Sequence, residues 1–358
     1  MSLLVGMDDP AINEIARKVY DIQFAQDANL DRLYDDRQKR LFYQDILYNI
    51  GYLNTAIKLE DNYIFTSYAT WLYELLCSLL KHLDRDQIKN QMVDHYSLLI
   101  NEASELFTGE AVQLAQTYLR SAIAATEDAV TNIPYSERFL SGKHVAVRQA
   151  YLGAMLRSKT HEAAKIISDA AASGIPLVEI YEDILEETMH EVGELWHKNQ
   201  ITVDKEHYCT STTQMVLSQF YSVIFSQERR NLTVLACCVG SELHEMGGRM
   251  VSDLFEYHGW DSIYLGAAVP QASILAAVQE HSPDLIALSV TMPHYLVECR
   301  DLVYALHEHF PKLKISVGGR AFETTDHLWQ KWPIDIYTKT ARDLVEWAQA
   351  QFGQGSNQ

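Results

Sequence analysis

From about Ala11 to Val130 apolar residues recur every three or four positions, as in Leu41, Ile46, Ile50, Leu53 and Ile57 and again in Phe65, Tyr68, Leu72, Leu75, Leu76 and Leu79. That spacing lays one buried stripe along each helix, so the segment reads as an all-helical bundle. Capping residues near the heads of such runs predict helix starts at Asp61-Asn62, Asp84 and Thr108. Thr131-Asn-Ile-Pro134 interrupts the pattern, and the proline turns its predecessor away from helix, which predicts a linker.

A second helical stretch, from about Val145 to Phe225, is cut by Ser158-Lys-Thr160, by Ser173-Gly-Ile-Pro176 and by Asn199-Gln-Ile-Thr202. Four amphipathic helices with short loops follow, with Pro176 suited to a first helical turn. Beyond Leu232 the period changes. Short apolar runs at Leu232 to Val239, Ser262 to Leu265, Leu285 to Val290, Ile315 to Val317 and Asp335 to Tyr337 alternate with helical patterns at Gly247 to Tyr257, Gln271 to Glu280, Val297 to His309 and Ala341 to Phe352. Alternation of this kind is the mark of a doubly wound parallel sheet, and five units suit a flavodoxin-like order with a ligand crevice at the carboxyl ends of the strands. The predicted fold class is therefore multidomain. Residues 1–134 form an N-terminal all-α bundle, 135–230 a central four-helix bundle, and 231–358 a C-terminal α/β flavodoxin-like (Rossmann-type) parallel sheet, with a frayed tail at Gly353-Gln-Gly-Ser-Asn-Gln358.

Composition narrows the function classes. A net charge of −19 repels phosphate backbones, so direct DNA binding is disfavoured. Arg17-Lys18, Arg37 to Arg40 and Arg229-Arg230 are the candidate basic patches, and each sits among acids or beside a helix end. The first residues lack a basic stretch followed by an apolar one, and no long apolar run is present, so a cytoplasmic protein with no membrane span is expected. Five cysteines (Cys77, Cys209, Cys237, Cys238 and Cys299) make an odd set without a C-x-x-C pair, which argues for reduced core residues over disulfides or a zinc knuckle.

The chemistry concentrates after the first strand. Glu242, His244 and Gly247 form an E-x-H-x-x-G run there. A carboxylate beside a histidine can hold one ring nitrogen protonated, which leaves the other to donate to a metal. The glycine lets a bulky group approach the following helix. Ser289 and Thr291 end the third strand and Gly318-Gly319 the fourth, and small or hydroxylated side chains at those points would leave a slot beside the sheet.

On these motifs the stretch from Leu232 to the last helix resembles the cobalamin-binding Rossmann domain family, with Glu242 where an aspartate is commoner, and Tyr264-Leu-Gly-Ala-Ala-Val-Pro270 resembles that family's second-strand turn. The resemblance implies that His244 is the lower cobalt ligand and that the displaced nucleotide tail enters the slot. Leu195-Trp-His-Lys-Asn-Gln-Ile-Thr-Val-Asp-Lys-Glu-His207 is similar to the cap of the adenosylcobalamin-dependent photoreceptors. That likeness implies that Trp196 and Glu206 cover the upper face, that His197 ligates cobalt after photolysis, and that His207 supports the pocket. The physical roles agree: a flat apolar wall, an acceptor for ribose hydroxyls, and an imidazole nitrogen.

The expectation is a cobalamin-dependent light sensor rather than an enzyme, with a corrinoid methyl-shuttle protein as the alternative. Its output would pass to a homo-oligomer or a downstream signalling protein. The resemblance stops short of the first bundle, where relatives often carry a basic helix-turn-helix domain and this chain shows no basic recognition helix. Tyr43, Tyr48, Tyr52, Tyr63, Phe65, Tyr68, Trp71 and Tyr73 give that bundle dense aromatics, read as core or dimer interface ahead of a second chromophore such as a bilin. Cys77, the one thiol there, lies inside an apolar stripe and is a poor point for a thioether attachment.

Overall fold

The computed structural model describes residues 10–26, 30–131 and 137–353. The linker read at Thr131 to Pro134, past Thr131 itself, and the tail beyond Gly353 lie outside them. Two compact units emerge: Met1–Ile133 with Met292–Val297 and Ala321–Leu328, and Pro134–Thr291 with Glu298–Arg320 and Trp329–Gln358.

The first unit is helical: α1 (Pro10–Gln26), α2 (Leu30–Leu33), α3 (Asp36–Leu59), α4 (Asn62–Leu79), α5 (Arg85–Leu106) and α6 (Glu110–Ala129). Asp61 and Asp84 cap α4 and α5 through their carboxylates, accepting from Tyr63 N and Gln87 N. The third predicted start needs correction, because Gly109, not Thr108, precedes α6 and holds φ 60°, a left-handed conformation suited to glycine. Ile46, Ile50, Leu53, Ile57, Phe65, Tyr68 and Leu72 are buried, whereas Leu41 and Leu79, near the two ends of their helices, stay exposed. The aromatic stripe is largely core: Tyr52, Phe65, Tyr68 and Tyr73 are buried, and Tyr63 faces solvent. Within the same unit Asp326 N donates to Asp61 Oδ2 at 2.8 Å, and His294 meets the Tyr52 ring edge-on at 5.9 Å.

The second unit begins with α7 (Val145–Leu156) and α8 (Thr160–Ala172). The next helix starts as α9 (Leu177–Glu179), passes through a π-helical turn at Ile180–Glu186 and ends as α10 (Glu187–His197). Then come α11 (Val203–Leu217) and the short α12 (Tyr221–Ile224). Pro176 sits one residue before α9, where its extended ψ of 145° caps the helix from outside instead of opening its first turn.

β1 (Thr233–Cys238), α13 (Met246–Tyr257), β2 (Asp261–Gly266), α14 (Gln271–His281), β3 (Leu285–Ser289), α15 (Leu296–His309), β4 (Lys314–Gly318), β5 (Ile336–Tyr337) and α16 (Ala341–Phe352) complete the chain. The five strands are parallel in the order β2-β1-β3-β4-β5, with the switch in winding between β1 and β3. One apolar core joins the helical segment to the sheet, running from Tyr151, Ile167 and Tyr181 through Phe220 to Val234, Phe255, Trp260 and Leu344. Among the described residues no helix is long and apolar enough to cross a membrane.

Each candidate basic patch has one residue held in an ion pair. Lys18 pairs with Glu102 and Glu105, Lys39 with Asp31, and Arg229 with Glu256. All five cysteines are free thiols, four of them buried, and burial pushes Cys237 and Cys238 up to about 12, so they stay neutral.

Candidate corrinoid site

Strand register assembles the motifs that sequence separates. Cys238 pairs with Ser289 and Ser289 with Gly318, so the ends of β1, β3 and β4 lie in one row. Just past that row the chain turns at Gly240, whose φ of 76° suits glycine. Glu242 then folds back under the turn with its side chain fully buried. Thr291 N donates to Glu242 Oε2 at 2.9 Å, across the winding switch between β1 and β3. The other carboxylate oxygen lies 3.2 Å from His244 Nδ1. The His244 side chain itself is 60% exposed, so its far nitrogen faces outward. A carboxylate so close behind Nδ1 could hold a proton there and leave Nε2 to donate to a metal.

Gly247 and Gly248 open α13 beside this turn. A Cβ at Gly248 would come within 3.1 Å of Cys238 Sγ, whereas one at Gly247 would meet nothing within 4 Å. Gly319 is stricter, because its φ is +97° and a Cβ there would lie 2.4 Å from Val290 O. These glycines, with Ser289 and Gly318, line a cavity of about 110 Å³ whose lining also includes the apolar Ala236, Leu254, Ala287 and Leu344.

The cap residues flank the turn between α10 and α11, Trp196 and His197 ending α10 and Glu206 and His207 standing near the start of α11. Trp196 is 38% exposed, unusual for so large a ring, while His197 at the end of α10 is buried. Glu206 Oε1 accepts from Thr210 Oγ1 at 2.9 Å, and Glu206 Oε2 lies 2.8 Å from Nδ1 of the exposed His207. Thus Glu242, His244 and Thr291 are brought together, as are Gly247, Ser289, Gly318 and Gly319. Trp196 and His197 stand on α10 and Glu206 and His207 on α11, all in the helical segment.

Several neighbours escaped the sequence reading. Tyr181, Glu182 and Glu186, from the π-helical turn, line the cavity, as do Thr338, Lys339 and Thr340. Tyr181 Oη donates to Asp253 Oδ2 at 3.1 Å, and Glu182 accepts from Arg342 N at 2.6 Å, so this turn fastens α9 and α10 to α13 and α16. Burial lifts Asp253 to about 6 even with that hydrogen bond. His190, one turn past Glu186, is driven down to about 4 by burial and is neutral at physiological pH. The signal was available: Glu186, His190, Glu194 and His197 make a polar stripe at helical spacing on an amphipathic helix. Gln214 Nε2 to Glu245 Oε1 at 3.2 Å and Tyr264 Oη to Glu245 O at 2.8 Å hold the turn that carries His244.

Residues 232–344 match the B12 binding domain family, and residues 147–221 match a second family model of the same description. The chain carries B12-binding domains. It is 25% identical over 174 residues to the HTH-type transcriptional repressor CarH of Myxococcus xanthus, a match that covers 48% of this chain and 57% of that protein. The chain thus spans little more than half the length of that relative. It is also 26% identical over 190 residues to trimethylamine corrinoid protein 1 of Methanosarcina mazei, covering 51% of this chain and 86% of that one. In three dimensions the monomethylamine corrinoid protein of Methanosarcina barkeri superimposes with a TM-score of 0.52 at 16% identity, covering 58% of this chain and 99% of that chain, which establishes the shared fold. Cobalamin binding is supported by these matches, and the site fits it: an outward imidazole nitrogen with a buried carboxylate behind it, above a slot kept open by glycine.

Proposed function

We propose that this protein is a cobalamin-dependent light sensor that uses adenosylcobalamin. The observation that carries the reading is a partly exposed Trp196 beside a buried His197 and a Glu206–His207 pair, in the same unit as a histidine prepared for metal ligation. When bound, adenosylcobalamin supplies a cobalt–carbon bond that light can break. His244 would supply an imidazole nitrogen to cobalt, with the carboxylate of Glu242 close behind its Nδ1 and Thr291 N–H holding Glu242 in place. The cavity lined by Gly248 and Gly319 would take part of the nucleotide tail. Trp196 would offer a flat wall to the adenosyl group, Glu206 an acceptor for its ribose hydroxyls, and His197 a second imidazole nitrogen for cobalt. A change at His197 would bias α10 and the π-helical turn fastened to α13 and α16, giving the light signal a mechanical path.

The likeness to corrinoid proteins favours a second reading, a methyl-shuttle component of a methyltransferase system, which needs an open upper face. Absorption spectra of the protein loaded with adenosylcobalamin, dark and then after green light, separate the two. A stable photoproduct that requires both His244 and His197, tested as His244→Ala and His197→Ala, supports the sensor. Light-indifferent binding with methyl turnover to an acceptor would replace it with the shuttle.

A further inference from the structure

The start of α9, the end of α13 and one face of α16 line a second cavity, of about 340 Å³. That volume falls within the range of roughly 300–1,000 Å³ typical of small-molecule pockets. Pro176, Val178, Leu254 and Val345 give it an apolar wall, and Leu254 also lines the cavity beside the glycines. Pro176 and Glu346 are exposed and Val178, Arg342 and Gln349 are half-buried, so the space opens to solvent.

Arg342, Val345, Glu346 and Gln349 follow one another at i, i+3, i+4 and i+7 and so bring one face of α16 to this cavity. An arginine and a glutamate four residues apart on a helix are placed to pair with each other. These two do not. Arg342 Nη2 turns to Glu182 Oε2 at 2.9 Å and to Asp183 Oδ2 at 3.5 Å, and Arg342 N donates to Glu182 Oε1 at 2.6 Å. Nε and Nη1 of the guanidinium are left as donors, and Glu346 makes no hydrogen bond or ion pair among the described residues. Glu179, the other carboxylate of the lining, is already answered by Lys143 Nζ at 2.6 Å and His144 Nε2 at 2.7 Å. Gln349 Nε2, 3.1 Å from His258 Nδ1, adds a neutral polar pair. The cavity therefore presents a fixed cation with spare donors, a free carboxylate and an apolar wall. A simple anion would meet Glu346, Glu182 and Asp183 around the one arginine, and a simple cation would meet the arginine itself. A zwitterion with an apolar body answers both charges.

We propose that this cavity is a second ligand site, separate from the corrinoid site, that takes a free amino acid with an apolar side chain. The ligand's carboxylate accepts from Arg342, its ammonium donates to Glu346, and its side chain lies against Val178, Leu254 and Val345. Adjacent charges on one small molecule suit two side chains whose Cβ atoms stand about 5–6 Å apart on a helix. The site does not depend on whether the corrinoid serves light sensing or methyl transfer.

The test is titration calorimetry of the full chain at neutral pH with L-leucine as the probe. N-acetyl-L-leucine, which lacks the ammonium, and L-leucine methyl ester, which lacks the carboxylate, are the controls. One saturable leucine site is expected, with each derivative about tenfold or more weaker, and the site should persist when the corrinoid site is saturated with cobalamin. Glu346→Gln, a change at an exposed position, should keep the native Tm and weaken leucine about tenfold, and Val178→Phe, which fills the cavity, should weaken it at least as much. Arg342 also fastens the π-helical turn, so the two variants that leave it in place carry the decision. Absence of saturable leucine binding, either derivative binding as well as leucine, or native affinity in Glu346→Gln or Val178→Phe would overturn the proposal. Loss of leucine binding on loading with cobalamin would overturn it as well, by placing leucine in the corrinoid site.

Discussion

Replacing Glu242 by glutamine changes one atom's chemistry at the point where the corrinoid site depends on it. Thr291 N–H requires an acceptor 2.9 Å away, so the new amide must place its oxygen there and turn its NH2 toward His244 Nδ1. An NH2 facing Nδ1 forces that nitrogen to accept, which moves the ring proton to Nε2 and removes the lone pair a metal needs. Loss of such a partner behind a metal-ligating histidine typically lowers affinity by about 10–100-fold, or roughly 1.4–2.7 kcal/mol. Folding should change little, since the bond to Thr291 survives. Glu242→Ala should add an orphaned Thr291 N–H and about 1–3 kcal/mol of destabilisation. Spectroscopic titration with cobalamin reads the affinity and the axial ligation, and urea unfolding reads the stability. Native affinity with native histidine ligation in Glu242→Gln would refute the tautomer argument.

Three further outcomes follow from named geometry. Gly319→Ala should lose about 2 kcal/mol or more by denaturant unfolding, because its φ is +97° and its Cβ would strike Val290 O, whereas Gly247→Ala, with open space around it, should fold as well as the native chain. Equal stability of the two variants would contradict the placement of the glycines. Asp45 has a folded-state carboxyl raised from 3.8 to about 7, so its burial penalty is absent below about pH 4, grows as pH rises and is complete above about pH 7. Asp45→Asn should therefore exceed the native chain in stability at pH 8, by at most about 4 kcal/mol, and lose that advantage near pH 4; a pH-independent difference would count against it. Tyr181→Phe removes the donor to Asp253, whose carboxyl burial already lifts to about 6. Chemical denaturation should show a loss of about 1.5–3 kcal/mol above pH 7 that shrinks toward pH 5 as Asp253 becomes protonated, and a constant loss would indicate packing alone.

Periodicity alone determined most of the architecture. The switch from a three-to-four spacing to short apolar runs divides helices from strands, and four helices after Val145 followed by five strands alternating with four helices leave few topologies open. Buried faces impose those spacings locally, so they can be read without the fold. The position of Glu242, His244 and Gly247 after the first strand was legible for the same reason. What the tertiary structure decided is which distant atoms meet. Only the register of β1, β3 and β4 puts Cys238, Ser289 and Gly318 in one row and lets Glu242 reach Thr291 N, 49 positions away in the chain. The cavity wall supplied by Tyr181, Glu182 and Glu186 depends on a π-helical turn, a local widening that apolar spacing does not encode. Gly109 in place of Thr108 at the head of α6, and the exposure of Leu41 and Leu79, mark the limit of pattern reading at helix ends, where a few degrees of backbone and the placement of neighbours outweigh propensity. The partial burial of Asp45 went unseen in the sequence for a related reason: an acid at helical spacing reads as a solvated position until the surrounding packing withdraws it from water.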